Sequence, residues 1–296
     1  MTGPAVEVRA LVPGDEKAVG ALLEAHPDSS MFLRRNLTVN GLVDRGEVYH
    51  GAWAAAFEEG RLVAVAQHSR FGSVLLQAPV HLAAVARAAV RASARPVRGF
   101  VGPLAQTLAA RTALGLDAVP MRVESREGLY ALPLGALVVP APLTSGAWHC
   151  RRPRQEDMER LVEWRVAYNV ESNNQTDGPA LRAASREEIE RGVGEGASWV
   201  LEVSGAPVAY QQFNAMLPDV VQVGGVWTPP ALRGRGYARA VVAGSLLAAR
   251  GDDVRRAVLF TGDENVPARR AYAALGFERV GDWGLLFLET ATRPPD

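Results

Sequence analysis

One cysteine, Cys150, stands among 296 residues, so no disulfide can close within the chain. That fits a reducing compartment. Cys150 itself reads as a packing residue beside Trp148. Lysine is nearly absent: Lys17 is the only one, and arginine supplies the rest of the basic residues. The 32 basic and 32 acidic side chains cancel. A net charge of zero gives no global basic field, so neither nucleic acid nor a membrane surface is an expected partner, and any anion site must be local. No apolar run approaches the roughly 18–20 residues of a membrane span. The opening stretch, MTGPAVEVRALVPGDE, lacks the basic and apolar regions of a signal peptide, which makes the cytoplasm the expected location. His26, His50, His68, His81 and His149 are scattered without metal-ligand spacing, so no metal is expected. Two phosphate-binding signatures are also missing: the Gly-Lys-Ser/Thr of a P-loop and the dinucleotide G-x-G-x-x-G.

What is present is an ordinary globular composition, 48% hydrophobic and 22% charged, at a length that suits two domains. Val6, Val8 and Ala10 alternate as a strand, and Pro13-Gly14-Asp15 then opens a helix over Ala18–Leu23. A similar passage recurs 142 residues later, with Trp148 and Cys150 for Val6 and Val8, Asp157 for Asp15, and Leu161 for Val19. Two hairpins run in parallel too: Ala52–Phe57 with Leu62–Gln67, and Ser198–Val203 with Ala206–Phe213. The chain therefore reads as two copies of one unit. Leu132–Gly146, rich in proline and glycine, marks the boundary. The expected domains are residues 1–135 and 147–296, with 136–146 as linker. The other reading is one continuous domain with a Pro-rich loop.

In the second half the expected order is a strand at Ala147–Arg151, a helix at Gln155–Tyr168, a polar loop, and a helix at Arg186–Gly192. A hairpin follows, then a strand at Val220–Trp227, a long helix from Gly236 to Arg250 and a strand at Val254–Thr261. A helix over Val266–Leu275 and a last strand at Trp283–Leu288 complete it. Strands alternating with helices make an α/β domain.

The sharpest local signal runs from Val226 to Ala238. A strand ends at Trp227, Pro229 and Pro230 break it, and a loop holding Arg233, Gly234, Arg235 and Gly236 leads into a helix at Tyr237 and Ala238. The first N–H groups of a helix lack partners and sit at its positive end. The glycines let phosphate oxygens approach the backbone, and the arginines can add charge-assisted bonds. A second signal follows the next strand: Asn265, Ala268 and Tyr272, then Gly276-Phe277. Asn265 can cap a helix that Pro267 suits, with Tyr272 on the same face as Ala268.

Together these segments resemble the GNAT superfamily of acyl-CoA-dependent N-acyltransferases. Arg233, Gly236 and Ala238 match its pyrophosphate pattern Arg/Gln-x-x-Gly-x-Gly/Ala, and Asn265, Ala268, Tyr272 and Gly276-Phe277 match its later pattern. The resemblance covers roughly residues 147–290. It implies an α/β (α+β) fold of two tandem GNAT-like domains, each a central mixed, largely antiparallel sheet flanked by helices. It implies acetyl-CoA as acyl donor. The backbone of Val226 and Trp227 would pair with the pantetheine arm. The N–H groups from Arg233 to Ala238, through Gly234, Arg235, Gly236 and Tyr237, would hold the pyrophosphate. Asn265 and Ala268 would line the far side of the pantetheine. Tyr272, a phenol with a reference pKa of about 10, would protonate the departing sulfur. Attack by the amine is direct, so no nucleophilic cysteine is required.

The implied acceptor is a small-molecule or peptide amine. Its general base is open: Glu171 and Asp177 lie in the polar loop, Glu202 lies near the hairpin turn, and a water chain or a neutral amine would serve as well. The first half lacks the glycine cradle. Its comparable region, Leu75–Val80 leading into His81–Ala94, reads as a degenerate copy. Met31–Leu37 reads as core residues plus solvated arginines, or as a patch facing the second domain or an acceptor. The alternative function is a non-catalytic acyl-CoA-binding sensor or assembly module.

Overall fold

The computed structural model describes residues 6–47 and 49–295. Residues 1–5, the start of the opening stretch MTGPAVEVRALVPGDE, lie outside the described residues. Contacts divide the chain into two units. One runs through Leu129 and takes in Phe260–Glu264 and the chain from Arg279; the other holds Tyr130–Leu259 and Asn265–Glu278.

The first unit follows the order β1 (Val6–Ala10), α1 (Glu16–Glu24), α2 (Met31–Asn40), β2 (Gly51–Glu58), β3 (Arg61–Ser69), β4 (Ser73–Gln77), α3 (Leu82–Ser93), β5 (Val97–Pro103), α4 (Leu104–Ala113) and β6 (Met121–Pro133). β1 to β4 pair antiparallel in sequence order, and β4 pairs parallel with β5. β2 is apolar along its whole length because both faces are covered. Ala54 and Ala56, with Ala64 and Ala66 of β3, pack under α3. Trp53, Ala55 and Phe57 point the other way, into the core that Leu23 of α1 and Leu33 of α2 share. Met31 and Leu33 are buried, as the core reading of Met31–Leu37 requires. Phe32 lies 6.0 Å from the Trp283 ring of the same unit.

The second unit continues with α5 (Ala141–Thr144), β7 (Trp148–Arg151), α6 (Met158–Asn173), α7 (Pro179–Gly194), β8 (Ser198–Val203), β9 (Ala206–Met216), β10 (Val220–Trp227), α8 (Tyr237–Gly251), β11 (Arg256–Gly262) and α9 (Val266–Ala273). β7 to β10 pair antiparallel through β8 and β9, and β10 pairs parallel with β11. α8 buries Ala240–Ala243 and Leu246 on the face formed by Leu201, Ala209, Phe213, Val221 and Val223. The opposite face carries Leu161 and Val162 of α6 and Ile189 of α7 against Val200 and Tyr210. Each unit thus has the expected mixed, largely antiparallel sheet between helices.

The repeat is visible in atoms. Arg9 bonds both carboxylate oxygens of Asp15 at 2.7 and 2.8 Å, and the Val12 N–H donates to the same carboxylate. In the second unit Arg151 holds Asp157, which also accepts from the Arg154 N–H at 2.7 Å. Val19 and Leu161 are both fully buried.

Three differences from the expected elements have physical reasons. α6 runs on to Asn173, so Glu171 lies on a helix and not in a loop. Its inner face carries buried Arg165 and Asn169, which blur the apolar period beyond Val166. The last strand forms as β12 (Glu278–Thr292) but pairs with β5, with Trp283 opposite Pro103. The span 147–296 is therefore not closed on itself. Finally, Leu132, Leu134 and Leu137 are buried in the second unit's core with Leu275 and Phe277, so the Pro-rich stretch is partly core.

Candidate donor-binding site

The site begins where two parallel strands part. The ladder between β10 and β11 covers only Val220–Gln222 opposite Arg256–Val258. Beyond Gln222, β10 continues to Trp227 without further pairing to β11. Its register with β9 shifts between Gly224 and Trp227. Gly225 lies inside this bulge with φ of +56°, a conformation that favours glycine. The backbone of Val226 and Trp227 thus has one side unladdered, and an extended ligand arm can add there as a strand does.

Pro229 and Pro230 end β10, and Pro230–Leu232 make a single 3-10 turn. Gly234 and Gly236 follow with φ of +77° and +83°. Gly236 is the N-cap of α8, and no side chain caps it. The first-turn N–H groups of Tyr237, Ala238 and Arg239 therefore face outward at the positive end of a 15-residue helix. A methyl at Gly234 would meet nothing within 4 Å, and one at Gly236 only Arg239 Nη2 at 3.9 Å. The cradle is open, as an anion seat needs to be. Tyr237 turns its ring against Trp148, at 5.1 Å between centroids.

The two motif arginines differ. Arg235 is exposed and makes no side-chain hydrogen bond or ion pair among the described residues. Arg233 is engaged three ways. Its Nε donates to the Thr228 carbonyl at 3.0 Å. Its guanidinium grips Glu171, with Nη1–Oε1 of 2.9 Å and Nη2–Oε2 of 3.0 Å. It also lies over the Trp227 ring at 4.8 Å. Both partners of the ion pair are nearly half exposed, so its net worth is small and it can exchange for a phosphate. Glu171, one of the candidate bases, is thereby tied to the donor loop. Asp177 pairs with Arg182 at 2.7 Å, and Glu202 with Arg151 at 2.7 Å. Two buried polar atoms beside the loop, Thr228 Oγ1 and Trp227 Nε1, have no partner among the described residues. A third, Arg239 Nε, sits on the first turn of α8. Arg239 was absent from the sequence candidates although it continues the arginine series of the loop.

α9 begins as expected. The Asn265 side chain accepts from the Ala268 N–H at 3.2 Å and caps the helix. Tyr272 is half-buried, edge-on to Phe277 at 5.8 Å. Val226, Tyr237 and Tyr272 all pack against the same hydrophobic core, so one core supports all three motif segments.

The corresponding place in the first unit is filled. The ladder of β4 with β5 ends at Leu75 opposite Val101. Three residues on, the Ala78 N–H donates to Gln106 Oε1 at 2.7 Å. Gln106 is the third residue after the N-cap Pro103 of α4, the position that Ala268 holds after Asn265 in α9. A chain amide thus occupies the edge that is bare in the second unit. α3 is preceded by His81, whose imidazole pairs with Glu58 at 2.6 Å, and not by a glycine.

Burial pushes the Cys150 thiol up to about 12, so it stays protonated. No group of three or more His, Cys, Asp or Glu side chains among the described residues could hold a metal. Among the described residues no helix is long and apolar enough to cross a membrane.

Residues 158–277 match the model of the Acetyltransferase (GNAT) family. No curated protein matches the sequence. Solved structures of similar fold include a tandem GNAT protein from the clavulanic acid biosynthesis pathway. It is 15% identical, with a TM-score of 0.55 over 99% of this chain and 100% of that one. A GCN5-related N-acetyltransferase from Sphaerobacter thermophilus aligns at 15% identity and TM-score 0.57, over 97% and 98% of the two chains. A Drosophila protein aligns at 14% identity and TM-score 0.64, over 95% and 98%. Residues 158–277 thus carry a GNAT acetyltransferase family domain, and the chain as a whole shares its fold with a tandem GNAT protein.

Proposed function

We propose that the second unit transfers an acetyl group from acetyl-CoA to a primary amine. The observation that carries this reading is the uncapped N-terminus of α8, approached through Gly234 and Gly236, beside a β10 edge that has parted from β11. In this reading the pyrophosphate lies on the N–H groups between Arg233 and Ala238, with Arg235 and Arg239 adding charge. The pantetheine arm pairs with the backbone of Val226 and Trp227, and Asn265 and Ala268 flank it. The amine attacks the thioester carbon directly, and Tyr272 donates its proton to the leaving sulfur. The first unit, with Gln106 across its comparable edge and no glycine cradle, is a degenerate copy that binds no donor. The cytoplasmic location belongs to the same reading.

The test is CoA thiol release across an amine panel, with Tyr272→Phe as the comparison. Loss of the acid should lower kcat by roughly 100-fold while acetyl-CoA affinity holds. Acetyl-CoA binding with no thiol release from any amine would instead make the chain a binding module.

A further inference from the structure

Acetyl transfer from an ammonium substrate needs a proton acceptor, and β10 offers no carboxylate. The acidic side chains of the second unit are mostly committed at the surface. Glu159 pairs with Arg186, Glu163 and Asp177 with Arg182, Glu202 with Arg151, and Glu171 with Arg233. One carboxylate is different. Glu188 of α7 binds Arg165 of α6, with Oε1 2.5 Å from Nη2. The Arg165 side chain is only 4% exposed, while Glu188 keeps 33% of its side chain accessible.

Arg165 reaches the bulge in β10. A methyl at Gly225 would meet Arg165 Nη1 at 3.0 Å and Nη2 at 3.3 Å. The guanidinium thus lies against the backbone immediately before Val226, on the side of the Val226–Trp227 edge that points away from the loop. Its Nε is buried without a partner among the described residues. An arginine this deep requires a reason, because burying its charge is costly unless it is bound on all sides. Tyr168 stacks under it at 5.1 Å, and Trp227 meets Tyr168 edge-on at 6.3 Å. The pair is therefore packed against the strand that would carry the donor, next to the Val226–Trp227 edge.

We propose that Glu188 is the general base and ammonium anchor of the acceptor site, and that Arg165 is the residue that positions it. This rests on the acetyl-transfer reading. The amine nitrogen gives a proton to the Glu188 carboxylate and its lone pair forms the C–N bond. The C–S bond breaks, and the sulfur takes its proton from the Tyr272 phenol. The second proton of the adduct nitrogen passes through solvent to the Tyr272 phenolate, and Glu188 releases its own proton to solvent. Arg165 touches no reacting atom; it holds Glu188 and braces Gly225.

The test uses the full chain with a diamine, an amino sugar and a peptide α-amine as acceptors. Glu188→Gln should lower kcat/KM for the acceptor by roughly 100-fold or more, with acetyl-CoA affinity by calorimetry unchanged within about twofold. Glu188→Ala should regain activity with added formate or acetate, whereas Glu188→Gln, its space filled, should not. A purely structural role would not give that rescue. Arg165→Lys should retain more kcat than Arg165→Met, with both variants folded by circular dichroism. Acceptor kinetics of Glu188→Gln within about threefold of wild type would overturn the assignment. A wild type that fails to bind acetyl-CoA would sink the donor reading first, and this inference with it.

Discussion

Gly236→Ala separates conformation from contact at the donor loop. Gly236 has φ of +83°, and an alanine there meets nothing nearer than Arg239 Nη2 at 3.9 Å. The substitution is therefore not a clash. Its cost is the left-handed backbone, about 1–2 kcal/mol for a residue with a Cβ. The loop from Ala231 to Arg235 is largely exposed, so in the free protein it can relax and leave the fold nearly unchanged. Donor binding must then restore the strained geometry to present the first N–H groups of α8. At 1.4 kcal/mol per decade, acetyl-CoA should bind roughly 5- to 30-fold more weakly, with the melting temperature almost unmoved. Gly251→Ala is the control. It lies in the same helix with no positive φ and no neighbour within 4 Å, so alanine should stabilise it by up to about 1 kcal/mol and leave donor affinity alone. Calorimetric titration and thermal melts of the two variants decide the matter. Wild-type affinity in Gly236→Ala would refute the claim that this backbone geometry forms the seat.

Further outcomes follow from packing and titration. Gly244 of α8 faces Cys150 of β7 so closely that a methyl would overlap the cysteine Cβ. Gly244→Ala should destabilise the chain by about 1–3 kcal/mol. Combining it with Cys150→Gly should cost less than the sum of the single changes in urea unfolding; simple additivity would deny the contact. His68 is fully buried and its imidazole is pushed down to about 4 from 6.5 by burial. Below pH 6.5 the unfolded chain takes a proton that the folded one refuses. Stability from this group is thus complete above that pH and is lost as pH falls toward 4, by up to about 3 kcal/mol. His68→Gln should flatten the fall in urea midpoint over that window, and an unchanged slope would contradict the burial account.

Much of this was legible in the residues themselves. The loop from Arg233 to Ala238 announces itself by glycine, proline and arginine in a fixed order, and such local grammar survives without tertiary knowledge. The hairpins were readable from alternation and turn residues. The repeat was readable from Asp15 and Asp157, whose arginine partners, Arg9 and Arg151, explain why the likeness persists. Less legible were features that depend on distant partners. The outer turns of α6 and α7 carry solvated ion pairs instead of an apolar stripe, so their lengths were underestimated. β12 has an ordinary strand pattern, and nothing in Trp283–Leu288 says that it will pair with β5. Glu188 looks like any surface glutamate of a charged helix. The hint lay in Arg165, an arginine on the buried face of α6 that needed a counter-charge from elsewhere. Gln106 was equally silent, since its meaning comes only from the bare Ala78 N–H that it reaches.

The most direct test is the stoichiometry of acetyl-CoA binding to the whole chain, by calorimetry. The account predicts one saturable site per chain, abolished when Arg233→Ala, Arg235→Ala and Gly236→Asp are combined. Two sites, or one site untouched by those changes, would contradict the assignment of the donor seat to the second unit.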